Sequence, residues 1–221
     1  MLEREREAAG VAADLIGLFA PSVGSGLEQL AEDCGADLLL VGSCRRGSIG
    51  RLLRGDDTQG SLGGARCAVA VAPVGYAKRQ QRIETIGVAY NGSPESEAAL
   101  AAARALAAQH DATIAAMTVV WPTGRALTFV ALEEAARDRL QALGGVEPRV
   151  EVGPPEGELL AFGDQLDLLV VGSRGHGPLR RLLLGSTSAH LVRYARCPVL
   201  VLPRTETPTS RSSARSATVR D

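Results

Sequence analysis

The sequence predicts an α/β fold with a doubly wound parallel sheet, in which helices cover both faces. Two observations support this prediction. Short apolar segments alternate with amphipathic or alanine-rich segments over residues 83–203, which is the pattern of parallel strands joined by helices. The chain also repeats part of itself, since residues 37–73 align without a gap with residues 167–203 and 17 of 37 positions are identical. The repeat predicts one partial and one complete copy of the same unit.

The complete copy opens with a strand and a helix whose boundaries are clear. Ile83–Ala89 is apolar and rich in β-branched residues, which favours a buried strand. Ser93 and Pro94 then provide an N-cap and a proline at the first helical position. The alanine-rich run as far as Gln109 favours a helix, and Thr113–Val120 is the second predicted strand.

The remaining elements follow from residue spacing and from turn residues. Leu127–Leu143 has apolar residues at helical spacing and is followed by Gly144 and Gly145, which predicts a helix that ends at a glycine. Shorter segments complete the unit. They are predicted as strands at Arg149–Val152, Leu168–Val171 and Val199–Leu202, and as helices at Pro155–Gly163 and Thr187–Ala195.

The repeat and the composition divide the chain into four parts. They are a partial, degenerate copy (1–73), a polar linker (74–82), a complete copy (83–203) and a tail (204–221). The tail is rich in Ser, Thr and Arg, and we expect it to be disordered. In the partial copy, the strands are expected at Leu38–Val41 and Val69–Ala72.

The composition limits the class of partner and the compartment. The chain has 221 residues, 45% of them hydrophobic, and a net charge of −1, which argues against a nucleic-acid-binding protein. Its first ten residues are highly charged and unlike a secretory signal, and no apolar run approaches the roughly 18 residues of a membrane span. Four cysteines without a C-x-x-C pair suit a reducing compartment. We expect a soluble cytoplasmic protein that binds neither nucleic acid nor membrane.

A glycine-rich loop, GSRGHGPLRRLLLGSTS, runs from Gly172 to Ser188. Its spacing is close to that of a phosphate loop, but Pro178 stands where such a loop has lysine. Glycines allow the backbone to approach a ligand, and the first N–H groups of the following helix carry a partial positive charge. With the hydroxyl groups that open this helix, they form an anion site that needs no lysine.

The order of these motifs resembles the universal stress protein family. The resemblance rests on the G-x-x-G-x9-G-[ST] spacing, on IGVAYNGSPESEAAL at the start of the complete copy, and on the ending ARCPVLVLP. It implies a five-stranded sheet in the order 3-2-1-4-5, and dimers or tandem pseudo-dimers that meet through their fifth strands. It also implies that members with the intact glycine motif bind ATP. We therefore expect ATP as the ligand of this chain, with or without magnesium.

The resemblance implies a role for most residues of the candidate ATP site. Val119 would hold the adenine edge through its backbone. The resemblance assigns no role to His176, which could contact a phosphate or remain a solvated loop residue. Asn91 stands where the family usually has aspartate, so a hydrogen-bond acceptor for the ribose is kept but the charge is lost. The residues expected to contact phosphates and ribose are Gly172, Gly175, Gly185, Ser186 and Thr187.

The partial copy is expected to bind no nucleotide. Arg45 replaces the second glycine of the loop, and Asp56 places a carboxylate where a phosphate would lie. The strands that supply the adenine and ribose contacts have no counterpart in this copy. One site per chain is therefore expected, in the complete copy.

Two classes of function remain open from the sequence. The first is an ATP-binding module that acts in the stress response through its conformation or a partner. The second is a structural or interaction protein whose glycine loop is a relic. No histidine has an evident Ser and Asp arrangement around it, so we expect no catalytic residues, and the sequence identifies no metal ligands. Cys67 and Cys197 are interpreted as buried apolar residues rather than a redox pair.

The partial copy raises the question of how its strands are covered. Val69–Ala72 is expected to pair with Val199–Leu202, and a homodimer is a further option. Leu38–Val41 is expected to have an open edge, because the strand that would lie beside it has no counterpart. We expect that the missing block lies upstream of Met1, or else that the complete copy and a partner chain support the partial one.

Overall fold

The computed structural model describes residues 2–42, 66–76, 82–121, 127–173 and 185–203. These residues form one seven-stranded sheet in the spatial order β1-β2-β7-β6-β3-β4-β5. Neighbouring strands are parallel except for β2 and β7, which are antiparallel. The strands are β1 (Leu38–Gly42), β2 (Ala68–Ala72), β3 (Thr85–Ala89), β4 (Thr113–Val120), β5 (Glu147–Val152), β6 (Leu168–Gly172) and β7 (Val199–Leu202).

Helices cover both faces of the sheet. Those of the described residues are α1 (Leu2–Ala9), α2 (Val23–Asp33), α3 (Pro94–His110), α4 (Leu127–Gln141), α5 (Pro155–Gly163) and α6 (Ser186–Tyr194). One apolar cluster packs side chains of α2, α5 and α6 on one face, and a second packs α3 and α4 on the other. The predicted doubly wound α/β fold is therefore confirmed.

The start and the end of α3 show how local sequence sets an element. The Ser93 side chain accepts a hydrogen bond from the Ser96 N–H at 3.2 Å, and Pro94 occupies the first turn. The helix ends at His110, and its C-cap, Asp111, has a left-handed φ of 55°. Serine caps and early prolines both favour this type of start, and the predicted helix is confirmed with its end one residue beyond Gln109.

Three boundaries differ from the prediction by two residues, and one of them is the start of β5, which lies at Glu147 rather than Arg149. Strand β3 begins at Thr85 rather than Ile83, and the amides of Glu84 and Thr85 donate to the Asp167 carboxylate, each at 2.9 Å. Helix α4 ends at Gln141 rather than Leu143, because the chain turns towards two glycines with φ of 61° and 65°.

The two halves of the chain meet through β2 and β7. Their register pairs Val69 with Val201, Ala70 with Leu200, and Val71 with Val199. Within residues 85–202, the strands lie in the order third, second, first, fourth and fifth. The division of the chain into a partial and a complete copy of one unit stays a prediction.

Strand β1 lies at one edge of the sheet and pairs with β2. Its Leu38 and Leu40 side chains are 50% and 67% exposed, which agrees with an open edge. Among the described residues, none of the helices is long and apolar enough to cross a bilayer. The predicted disordered tail, the linker residues 77–81, Arg45 and Asp56 lie outside the described residues.

Candidate functional site

A cavity of about 350 Å³ lies at the carboxyl ends of β3, β4 and β6. In the sheet, β3 lies between β4, which is the next strand along the chain, and β6, which comes later. Ligands of open α/β sheets bind at this kind of position, where the strand order reverses. The lining residues come from these strand ends and from the first turns of α3, α5 and α6; they are Ala89, Tyr90, Asn91, Ser93, Glu95, Ser96, Met117, Val119, Pro155, Leu159, Val171, Gly172, Ser173, Gly185, Thr187, Ser188 and Leu191.

Asn91 lies in the turn between β3 and α3. Its Oδ1 accepts a hydrogen bond from the Ser93 N–H at 3.0 Å, and its backbone carbonyl accepts one from Arg139 at 3.4 Å. The Asn91 side chain thus shapes the turn as well as lining the cavity. One acceptor position of the amide is already engaged, and its Nδ2 group has no partner among the described residues.

Val119 presents its backbone to the cavity. The last residue pair between β3 and β4 is Ala89 with Met117, and beyond it the Tyr90 N–H donates to the Met117 carbonyl at 2.8 Å. On the opposite side of β4, the Val120 carbonyl accepts from Gly153 at 3.1 Å. Because backbone groups alternate sides along a strand, the N–H and C=O of Val119 face the side where β3 has ended. The expected placement of Val119 is consistent with this geometry.

Tyr90 forms part of the cavity wall, although no pattern in the sequence singles it out. It is buried, its carbonyl accepts from Thr118 Oγ1 at 2.7 Å, and its hydroxyl donates to the Glu97 carboxylate. Burial first, and then the hydrogen bond to Glu97 and its negative charge, raise the pKa of Tyr90 to about 12. The phenol is therefore protonated near neutral pH and acts as a wall rather than as a base.

Gly172 and Ser173 form the floor of the cavity at the end of β6. A Cβ atom on Gly172 would lie 2.6 Å from the Glu95 Cβ and 2.8 Å from the Glu95 backbone, so only glycine allows this approach to α3. Ser173 is 2% exposed, and its hydroxyl has no hydrogen-bond partner within the part of the chain that the structure describes. Ser173 could not be singled out from the sequence, because residue spacing does not reveal whether a buried hydroxyl has a hydrogen-bond partner.

The amino end of α6 closes another side of the cavity. Gly185 is its N-cap, with φ of −67° and ψ of 170°, and makes no side-chain cap. The Thr187 hydroxyl donates to the Glu156 carboxylate at 3.3 Å, and the Ser188 hydroxyl donates to the Gly185 carbonyl at 3.2 Å. The first bond links α6 to α5, whereas the second lies within the first turn of α6. The backbone N–H groups at the start of α6 remain as donors at this side of the cavity.

The predicted site residues are thus only partly brought together. Asn91, Val119, Gly172, Gly185 and Thr187 line one cavity. Ser186 starts α6 and is exposed, but it is not among the lining residues. Gly175 and His176 lie outside the described residues.

Other residues considered from the sequence lie away from the cavity. Cys67 and Cys197 are free, buried thiols, and burial raises the pKa of both, that of Cys197 to about 11. Asp167 lies at the amino end of the sheet, where it accepts the two amides at the start of β3. Within the described ranges, no group of three or more His, Cys, Asp or Glu residues could hold a metal ion.

Comparisons with known proteins agree with the fold and the motif order. The model of the universal stress protein family matches residues 82–203. The chain therefore belongs to the universal stress protein family.

Three relatives show how far the similarity extends. A universal stress protein of Thermus aquaticus is 36% identical over 135 residues, which cover 54% of this chain and 98% of the relative. One of Mycobacterium tuberculosis is 27% identical over 202 residues, covering 82% and 69% of the two chains. The crystal structure of a universal stress protein from Archaeoglobus fulgidus has a TM-score of 0.61 and 22% identity, and covers 92% of this chain and 73% of that chain.

Proposed function

We propose that the cavity binds one adenine nucleotide, with ATP as the expected ligand, and that the protein acts by binding rather than by catalysis. In this proposal, the protein lies in the cytoplasm and acts in the stress response. The nucleotide-bound protein signals through its conformation or through contact with a partner. The observation that carries the proposal is the convergence of three strand ends and the amino end of α6 on one cavity of about 350 Å³, a size typical of small-molecule sites.

The adenine would lie at the β4 side of the cavity. Met117 on β4 and Leu159 on α5, the helix that packs against β4, provide apolar surface there, and the outward backbone of Val119 offers one donor and one acceptor for the base edge. This pairing of an apolar wall with a few fixed polar groups is typical of ligand sites.

The ribose and the phosphates would follow towards α6. Asn91 lies beside the path of the ribose, with its Nδ2 group available to a ribose oxygen. The phosphates would then lie over Gly172 and Gly185, within reach of the free N–H groups of α6, which carry a partial positive charge. This arrangement supplies anion binding without the lysine of a phosphate loop.

Two carboxylates line or adjoin the phosphate side, Glu95 on α3 and Glu156 on α5. Their negative charge opposes an unaccompanied triphosphate. Magnesium on the phosphates would offset part of this repulsion, so we propose that the triphosphate binds with magnesium.

The tandem organisation is also part of the proposal. The alignment with the Mycobacterium tuberculosis relative covers 82% of this chain, which exceeds what residues 82–221 can supply, so it extends into residues 1–81. We propose that residues 1–73 are a partial copy that binds no nucleotide and is joined to the complete copy as a pseudo-dimer through β2 and β7.

Calorimetric titration of the full chain with ATP and magnesium tests the proposal. We expect one site per chain, and loss of binding in Gly175→Arg, which introduces the arginine that the partial copy has in its loop. His110→Ala is the matched control, because His110 is exposed at the far end of α3, and it should bind as the unaltered protein does. An absence of binding at millimolar ATP would favour the relic-loop alternative.

A further inference from the structure

The Ser173 hydroxyl is a buried polar group without a partner. Its Oγ atom makes no hydrogen bond to any described residue, although its backbone N–H donates to the Leu202 carbonyl at 2.9 Å. Buried hydroxyl groups in proteins are nearly always hydrogen-bonded, and leaving one unsatisfied is unfavourable. An exception of this kind requires an explanation at this position.

The direction of the Ser173 side chain follows from the alternation of β6. Leu169 and Val171 belong to the apolar cluster on the α5 and α6 face, whereas Val170 packs on the opposite face and Gly172 approaches α3. Since successive side chains alternate faces, Ser173 lies on the α5 and α6 face. It lines the cavity together with Gly185, the N-cap of α6.

Two independent features therefore point to an anion at the same place. One is the set of backbone N–H groups at the amino end of α6, and the other is the unpartnered hydroxyl of Ser173. We infer that Ser173 is a ligand-binding residue whose hydroxyl donates a hydrogen bond to a phosphate oxygen of the bound nucleotide. The inference rests on the proposed function and adds a phosphate contact that the glycine motif does not supply.

The inference predicts opposite effects on binding and on stability. Ser173→Ala removes a donor to a charged oxygen, so ATP affinity should fall about ten- to one-hundred-fold. It also removes an unsatisfied buried group, so the melting temperature of the ligand-free protein should stay the same or rise. A structural hydroxyl would behave differently, because its loss lowers the melting temperature.

Thr118→Val is the matched control for stability. Its hydroxyl is also buried, but it is bonded to the Tyr90 carbonyl at 2.7 Å, so this variant should melt at a lower temperature. If the alanine variant does not fold, the binding measurement is repeated with Ser173→Cys. Cysteine keeps the size of the side chain but is a weak donor.

The experiment measures ATP, AMP and adenosine affinities by displacement of a fluorescent ATP analogue from the full chain. We expect Ser173→Ala to weaken ATP but to leave adenosine within about two-fold, as a contact made only to phosphate requires. A parallel loss for AMP assigns the contact to the α-phosphate, and an unchanged AMP affinity assigns it to the β- or γ-phosphate. Equal ATP affinity in the variant and the unaltered protein would overturn the inference and leave the proposed function intact. An equal loss for adenosine, or a fall in melting temperature like that of Thr118→Val, would also overturn it. If the unaltered protein binds none of the three ligands, the proposed function fails and this inference fails with it.

Discussion

Two segments of the chain share the pattern D-L-L-x-V-G-S but have different environments. In β6, Leu168 is 8% exposed and the residues that follow it are buried as far as Val171. In β1, the equivalent Leu38 is 50% exposed and Leu40 is 67% exposed. Nearly the same strand sequence is thus core in one half and partly surface in the other.

The neighbours of each strand explain this difference. Strand β6 lies between β3 and β7, and α3 packs over its Leu168 and Val170 face. Strand β1 has β2 on one side, and among the described residues no helix covers its corresponding face. An apolar strand sequence therefore permits burial on both faces. The elements packed around the strand determine whether its side chains are in fact buried.

Alanine at the paired leucines gives the largest expected effect of this comparison. Leu168→Ala should lower the free energy of unfolding by about 2–5 kcal/mol, because it empties a packed site. Leu38→Ala removes a side chain that is already half in water and should cost less than about 1 kcal/mol. Urea unfolding of both variants measures the two values, and similar losses would show that β1 is covered in solution.

The paired glycines provide the next test. Gly172→Ala places a Cβ atom within 2.6 Å of Glu95, which should cost about 1–3 kcal/mol and weaken ATP binding by displacing the cavity floor. For Gly42, the equivalent glycine, a Cβ would meet no described atom within 4 Å, so Gly42→Ala should be neutral within about 0.5 kcal/mol. Thermal melting and ATP titration of the pair measure this, and a neutral Gly172→Ala would contradict the close approach of β6 to α3.

The smallest expected effect concerns the paired cysteines and alkaline pH. Burial raises the pKa of Cys197 from the ordinary 9.0 to about 11, so the folded state disfavours the thiolate. This contribution to stability is complete below pH 9 and is lost as the pH rises towards 11. Cys197→Ala should therefore flatten the decline in the urea midpoint over this range, relative to its own value near pH 8. Cys67→Ala should flatten it too, because burial also raises the pKa of that thiol. Cys34→Ala, which removes an exposed thiol, is the control, and an unchanged slope in Cys197→Ala would count against the burial of that thiol.

Much of the fold could be predicted because its signals are local. Thr113–Val120, Pro155–Gly163 and Val199–Leu202 have the predicted boundaries, since strand-like or helical spacing and turn residues mark both ends. The start of β3 was placed too early, because the Asp167 carboxylate that binds its amides is distant in sequence. Local patterns carry no information about such a partner.

The candidate site was predictable where backbone geometry carries it, as at Gly172, Gly185 and Val119. It was not predictable where a side chain depends on a three-dimensional neighbour. The bond between Tyr90 and Glu97 and the missing partner of Ser173 both result from packing between elements. The loop spacing indicated an anion site, but it gave no means to find these two residues.

The central claim is that the two halves differ in function as they do in burial, with one nucleotide site located in residues 82–203. Photolabelling of the full chain with an azido-adenine analogue of ATP, followed by peptide mapping, tests it most directly. We expect at most one label per chain, competed by ATP, in the peptide that contains Val119 at the end of β4. A competed label within residues 1–76, or two labels per chain, would contradict the account.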